Sequence, residues 1–135
     1  MDLFKTLHIA ASGMRAQGTR LRVIAENVAN AESLAQTPGG QPYRRKLVSF
    51  ANAMDRELGA ETVRVRKIMT DKSEFSRAYQ PGHPAADDDG YVLRPNVNTL
   101  IEMTDMREAQ RSYEANLKAI EASRSMLQKT LQILS

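Results

Sequence analysis

Residues 3–31 read LFKTLHIAASGMRAQGTRLRVIAENVANA, and their spacing decides the fold class. Leu3, Leu7, Ala10, Met14, Leu21, Ile24, Val28 and Ala31 recur at alternating intervals of four and three, with Gln17 the only polar member. That interval keeps one stripe of side chains on one side of a helix. Its persistence predicts a coiled-coil-like seam more than the surface helix of a globular domain. Beside the stripe run Ala11, Gly18 and Ala25, with Gly13 nearby. A mid-helix glycine costs ~1 kcal/mol against alanine, so this small-residue face predicts the close approach of another helix.

Working outward, the last segment carries a matching stripe. Met103, Met106, Gln110, Tyr113, Leu117, Ile120, Arg124, Leu127, Leu131 and Leu134 follow the same rhythm, with two polar members. Helices are predicted over 3–32 and 98–134, ~45 and ~55 Å long at ~1.5 Å per residue. Set antiparallel, the stripes pair Leu7 with Leu134, Ala10 with Leu131, Met14 with Leu127 and Gln17 with Arg124. Leu21 then meets Ile120, Ile24 meets Leu117, Val28 meets Tyr113, and Gln110 lies opposite Ala31. A polar pair within such a seam fixes register at some cost in stability.

Between the helices the periodicity fades. Thr37-Pro38-Gly39-Gly40-Gln41-Pro42 is a loop by composition. Residues 43–50 and 62–69 favour strands; in the second, Val63 and Val65 alternate with Arg64 and Arg66. Pro81-Gly82-His83-Pro84 and Asp87-Asp88-Asp89-Gly90 are turns, and Tyr91-Val92-Leu93 is a short strand. Asn98 or Thr99 caps the last helix, with Glu102 in its first turn. The expected organisation is mainly α: helix 1–33, a loop and short-strand insertion 34–97, and helix 98–135, the two helices packed as an antiparallel hairpin.

Composition removes several function classes. With no cysteine among 135 residues, disulfides, zinc–thiolate sites and a cysteine nucleophile are excluded. Nineteen basic against sixteen acidic residues is too even a balance for a nucleic-acid footprint. The basic runs Arg44-Arg45-Lys46 and Arg64-x-Arg66-Lys67 have only Tyr43 as an aromatic neighbour, which favours ion-paired or subunit-facing charge over nucleic-acid binding. His83 with Asp87, Asp88 and Asp89 lacks the alternating spacing of a calcium loop and reads as a solvated turn. His8 lies on the exposed side of the first helix without a serine or aspartate partner. No catalytic motif is present, so no catalytic, metal or cofactor-binding residue is expected. The start lacks the pattern of a cleavable signal, and no apolar run approaches the ~20 residues of a membrane span. A structural polymer subunit fits best; a soluble coiled-coil adaptor is the alternative, and a basic nucleic-acid-associated helical protein a third class.

The motifs narrow this further. Ser12-Gly13-Met14-x-Ala16-Gln17 and Arg20-Leu21-x-Val23-Ile24-Ala25-Glu26-Asn27-Val28-Ala29-Asn30-Ala31 resemble the N-terminal motif of the flagellar rod and hook axial family. Glu102-Met103-x-x-Met106-x-x-Ala109-x-Arg111-Ser112-Tyr113-Glu114-Ala115-Asn116 resembles its C-terminal motif. Residues 43–50, Pro81-Gly82-His83-Pro84 and Gly90-Tyr91-Val92-x-x-Pro95-Asn96-Val97-Asn98 are most similar to the proximal-rod branch. The resemblance covers essentially the whole chain and marks Asn27, Asn30, Glu102, Glu114 and Asn116 as family-motif positions. It implies a subunit of a helical polymer in the basal-body rod, crossing the periplasm, with the terminal helices inside and the middle segment further out. It also implies passage through the flagellar type III export apparatus on an uncleaved signal. Implied partners are other rod proteins, further copies of the chain, and the MS-ring and export-gate side of the basal body. No cofactor, nucleic acid or membrane span is implied.

Overall fold

The computed structural model describes residues 2–135. Its order is helix α1 (Leu3–Ala29), strands β1 (Lys46–Asp55), β2 (Ala60–Thr70), β3 (Ser76–Tyr79) and β4 (Tyr91–Arg94), then helix α2 (Thr99–Leu134). The fold is mainly α, as expected, with a small β region between two long helices. Strands pair as β1 with β2 and β3 with β4. Two compact units result, one of Met1–Leu21, Val48–Lys67 and Arg107–Ser135, the other of Arg22–Leu47 and Ile68–Met106.

Local chemistry sets the helix ends. At the start of α1, Asp2 Oδ1 accepts from Phe4 N at 2.9 Å. Asn98 caps α2: its Oδ1 accepts from Leu100 N at 3.1 Å, and its backbone carbonyl accepts from Glu102 N at 3.0 Å. α1 stops at Ala29, short of the expected residue 32. There Ala31 N and Ser33 N turn back to Val28 O and Asn30 O, and Asn30 Nδ2 donates to Glu26 O at 2.9 Å. Side-chain capture of a late carbonyl offers the chain an exit from the helix.

In the first unit the helices run antiparallel, but not in the register that apolar spacing suggests. Arg20 pairs with Glu108 at 3.5 Å, and a Cβ at Gly13 would lie 2.8 Å from Asn116 Nδ2. Met14 therefore does not face Leu127, and Gln17 does not meet Arg124. Gln17 Oε1 is buried without a hydrogen-bond partner among the described residues, while Arg124 is exposed. What is buried is small: Ala10, Ser12 and Ala16 on α1, Ala109 and Ser123 on α2. Leu117, Leu131 and Leu134, expected in the seam, are 39%, 59% and 78% exposed. The reason is steric. The Asn116 side chain fills the space beside Gly13, and the residues buried along both helices of this unit are small. The β1–β2 hairpin follows the same rule, with Ala51 and Ala53 half-buried and Phe50 and Met54 exposed. Ser12 Oγ ties helix to hairpin, accepting from Val63 N at 3.2 Å and donating to Ile9 O at 2.7 Å.

The first strand is shifted, the expected 43–50 becoming β1 at Lys46–Asp55, and the second is extended at both ends, 62–69 becoming β2 at Ala60–Thr70, while Val63 and Val65 stay half-buried between exposed Arg64 and Arg66. In the second unit, β3 has no counterpart in the sequence expectation, because Ser76-Arg77-Ala78-Tyr79 carries little β signal of its own. It forms by pairing antiparallel with β4, Ser76 opposite Arg94 and Tyr79 opposite Tyr91. The Tyr79 and Tyr91 rings meet edge to face at 5.3 Å. Gly90 enters this ribbon at φ 85°, and a Cβ there would sit 2.9 Å from the Tyr79 ring. Val92 points into the core at 2% exposure, with Val23 and Ile24 also buried.

Candidate functional site: a buried polar clasp and open helix faces

Asn27 and Glu102 are the most deeply buried polar side chains described, both at 0% exposure. Each is brought there by a helix end of the second unit. Asn27 lies in the last turns of α1 and uses its whole amide. Oδ1 accepts from Tyr43 OH at 2.8 Å and Lys46 N at 2.9 Å; Nδ2 donates to Lys46 O at 2.9 Å and Glu102 Oε2 at 3.2 Å. All four hydrogen-bonding positions of the amide are filled. The amide thus pairs with the Lys46 backbone as a neighbouring strand would.

Glu102, in the first turn of α2, also accepts from Arg45 Nε through Oε1. Arg45 spreads its remaining nitrogens to Asp71 Oδ2 at 3.3 Å and Asp105 Oδ2 at 3.5 Å. Its backbone N donates to Asn96 Oδ1 at 2.7 Å, and Asn96 Nδ2 donates to Asp71 O at 3.0 Å and Ser73 O at 3.2 Å. Burial opposes the Arg45 charge, but the Glu102 and Asp71 carboxylates outweigh it and raise its pKa. The Ser73 backbone N–H, then its hydroxyl, and then Arg45 lower that of Asp71. Burial raises Tyr43 above the usual phenol value. Removing one partner from such a buried ionic cluster costs ~3–5 kcal/mol, because the other charge is stranded. The arrangement holds backbone; nothing in it is an exposed nucleophile beside a base.

The other motif positions serve packing. Asn116 Nδ2 donates to Ser112 O at 2.9 Å and fills the space left by Gly13. Asn30 accepts Ser33 Oγ at 3.0 Å at the end of α1. Glu114 is exposed and has no ion pair among the described residues. Among the seam positions, Ala10 and Ile24 are buried, whereas Leu3, Leu7, Met14, Leu21, Val28, Met106, Tyr113, Ile120 and Leu127 are half-buried. Of the small-residue face, Ala11 and Gly18 join Met14, Arg15 and Tyr113 around a shallow groove of about 420 Å³, while Ala25 is exposed. His83 Nδ1 accepts from Ala85 N at 3.0 Å, and Asp87 Oδ1 accepts from Asp89 N and Tyr91 N; both build turns. Sequence reasoning grouped Arg45 with its basic neighbours as ion-paired charge, and it is paired. Its convergence with Asp71, Asn96 and Tyr43 had no sequence signal, because strand pairing alone brings those positions together.

Two family models match the chain. "Flagella basal body rod protein" covers residues 7–32, and "Flagellar basal body rod FlgEFG protein C-terminal" covers residues 88–133. The flagellar basal-body rod protein FlgC of Agrobacterium fabrum is 52% identical over 93% of this chain and 91% of its own length. The chain belongs to the FlgC family of flagellar basal-body rod proteins. FlgC of Yersinia enterocolitica, 43% identical, and of Bacillus subtilis, 38% identical, extend the likeness to 98% of the chain. FlgC likeness therefore includes the middle segment that supplies Tyr43, Arg45, Asp71 and Asn96 to the clasp. The resemblance seen in the terminal motifs is borne out over nearly the full length.

Proposed function

We propose that the chain is a structural subunit of the proximal rod of the bacterial flagellum, polymerising helically to carry motor torque toward hook and filament. It is not an enzyme. The observation that carries the assignment is full-length similarity to FlgC proteins from several bacteria. The physics supports assembly as its mode of action. Leu100, Ile101, Met103, Leu117, Leu131, Ile133 and Leu134 on α2 are all exposed, an apolar surface that neighbours would remove from water. At ~25 cal/mol per Å², covering such side chains along several interfaces stabilises a polymer that the free subunit cannot match.

In this proposal residues 1–33 and 98–135 form the inner rod core and residues 34–97 lie further out. The partners are other rod proteins, further copies of the chain, and the MS-ring and export-gate side of the basal body. The subunit reaches the rod, across the periplasm, through the type III export apparatus without cleavage of a signal. No helix among the described residues is long and apolar enough to span a membrane. Rod relatives leave the coiled-coil adaptor reading unfavoured. The test is genetic and biochemical: deletion of the gene should abolish swimming, and basal bodies from complemented cells should contain the chain. Basal bodies complete without it would contradict the proposal.

A further inference from the structure

Helix α1 carries a polar face beside its apolar one. Lys5, His8, Ser12, Arg15 and Thr19 follow at intervals of three and four, which sets them on one side of the helix. The β1–β2 hairpin meets this side at Ser12, whose Oγ accepts from Val63 N at 3.2 Å. Around that contact lies a hollow of about 300 Å³. His8, Arg15 and Thr19 line it from the helix, and Asp55, Thr62 and Arg64 from the hairpin. The Lys5 ammonium stands at the hairpin turn, 3.7 Å from where a Cβ at Gly59 would sit.

The charges of this hollow are unmatched. No acidic residue occurs in α1 between Leu3 and Ala25. Asp55 is the one carboxylate of the lining, and its Oδ1 accepts from the Glu57 and Leu58 backbone N–H groups at 3.0 and 3.2 Å, which holds the hairpin turn. Arg15 and Arg64 are exposed, and neither has an ion pair among the described residues. Two hollows of the second unit differ in this respect. Arg77 and Arg94 line them, and each is met by a carboxylate of the chain itself, Asp87 for Arg77 and Glu32 for Arg94. A guanidinium binds a carboxylate through two parallel N–H groups, and here two guanidiniums lack one. Leu58 and Val65 make part of the wall apolar, which suits the stem of a side chain better than a free ion.

We propose that the hollow between α1 and the hairpin receives an aspartate or glutamate side chain of a neighbouring rod subunit. Its carboxylate lies against Arg15 and Arg64, and its methylene stem against Leu58 and Val65. The proposal rests on the rod reading and deepens it, because it names the chemistry by which one rod contact is recognised.

Arginine is inert to carbodiimide, whereas an amine touching a carboxylate is joined to it as an amide, the water removed being taken up by the reagent. Basal bodies assembled with Arg15→Lys or Arg64→Lys should therefore yield, after carbodiimide, an amide from the substituted position to an acidic residue of another subunit. Unsubstituted basal bodies should lack it. Arg15→Gln combined with Arg64→Gln should lower incorporation by about tenfold or more, with the thermal unfolding of the purified chain unchanged, while the two lysine substitutions together restore it. Coupling in neither variant, coupling only to the chain's own Asp55, or parental incorporation of the glutamine pair would overturn the proposal. So would saturable binding of inorganic phosphate at Arg15 and Arg64 of the purified chain, which would make the occupant a free anion. Absence of even the unsubstituted chain from basal bodies would instead overturn the rod reading itself.

Discussion

At the residue scale, the Asn27–Arg45–Glu102 clasp is the feature on which the second unit depends. Glu102→Ala should destabilise it by about 3 kcal/mol, measured by urea unfolding, because Arg45 and Asn27 both lose a buried acceptor. Arg45→Met combined with Glu102→Met should cost less than the sum of the two single changes, since neither charge is then stranded. Acid should act through Asp71. Its pKa is lowered in the fold by Ser73 and Arg45, so the folded chain binds fewer protons than the unfolded chain below the ordinary carboxylate range. Stability from this group is therefore present above that range and is lost as pH falls through the folded pKa. Urea midpoints at descending pH should drop, and Asp71→Asn should flatten the drop. Asn27 and Glu102 were legible as motif positions. Their joint burial was not, because contacts among residues 27, 45 and 102 exist only once β1 and α2 are in place.

At the element scale, both helices and the Asn98 cap of α2 were legible from spacing and end chemistry, whereas the Asp2 contact at the start of α1 and the register were not. Apolar periodicity ranks side chains by hydrophobicity, but helix approach here is decided by what is small: Gly13, Ala16, Ala109 and Ser123. A heptad of large residues in an assembling protein can belong to a neighbour. Gly13→Leu should therefore disrupt the first unit, with partial recovery in the background of Asn116→Ala. Gly18→Ala should instead raise the free chain's helix stability by up to ~1 kcal/mol, because its site is open, and still lower incorporation into rods. Strand β3 was missed for a related reason. A four-residue segment with one β-favouring side chain is set by its partner β4 and the Gly90 turn, not by its own composition.

At the scale of the whole molecule, Val23, Ile24 and Val92 are buried in the second unit, whereas in the first unit alanine and serine are buried and large apolar side chains lie outside on α2 and on the hairpin. That inversion is costly for a free monomer and favourable for a subunit. Ending the chain after Met126 should change thermal stability by less than ~0.5 kcal/mol, since the removed turns touch little, yet prevent assembly. Hydrogen exchange should show residues 127–134 unprotected in the free chain and protected in isolated rods. The central claim is that outward leucines serve neighbours and not the subunit's own core, and Leu117→Asp tests it most directly. Thermal unfolding of the purified variant should match that of the parent, while cells carrying it fail to swim and yield no complete rods. Normal swimming with this variant, or a monomer that no longer folds, would contradict the account.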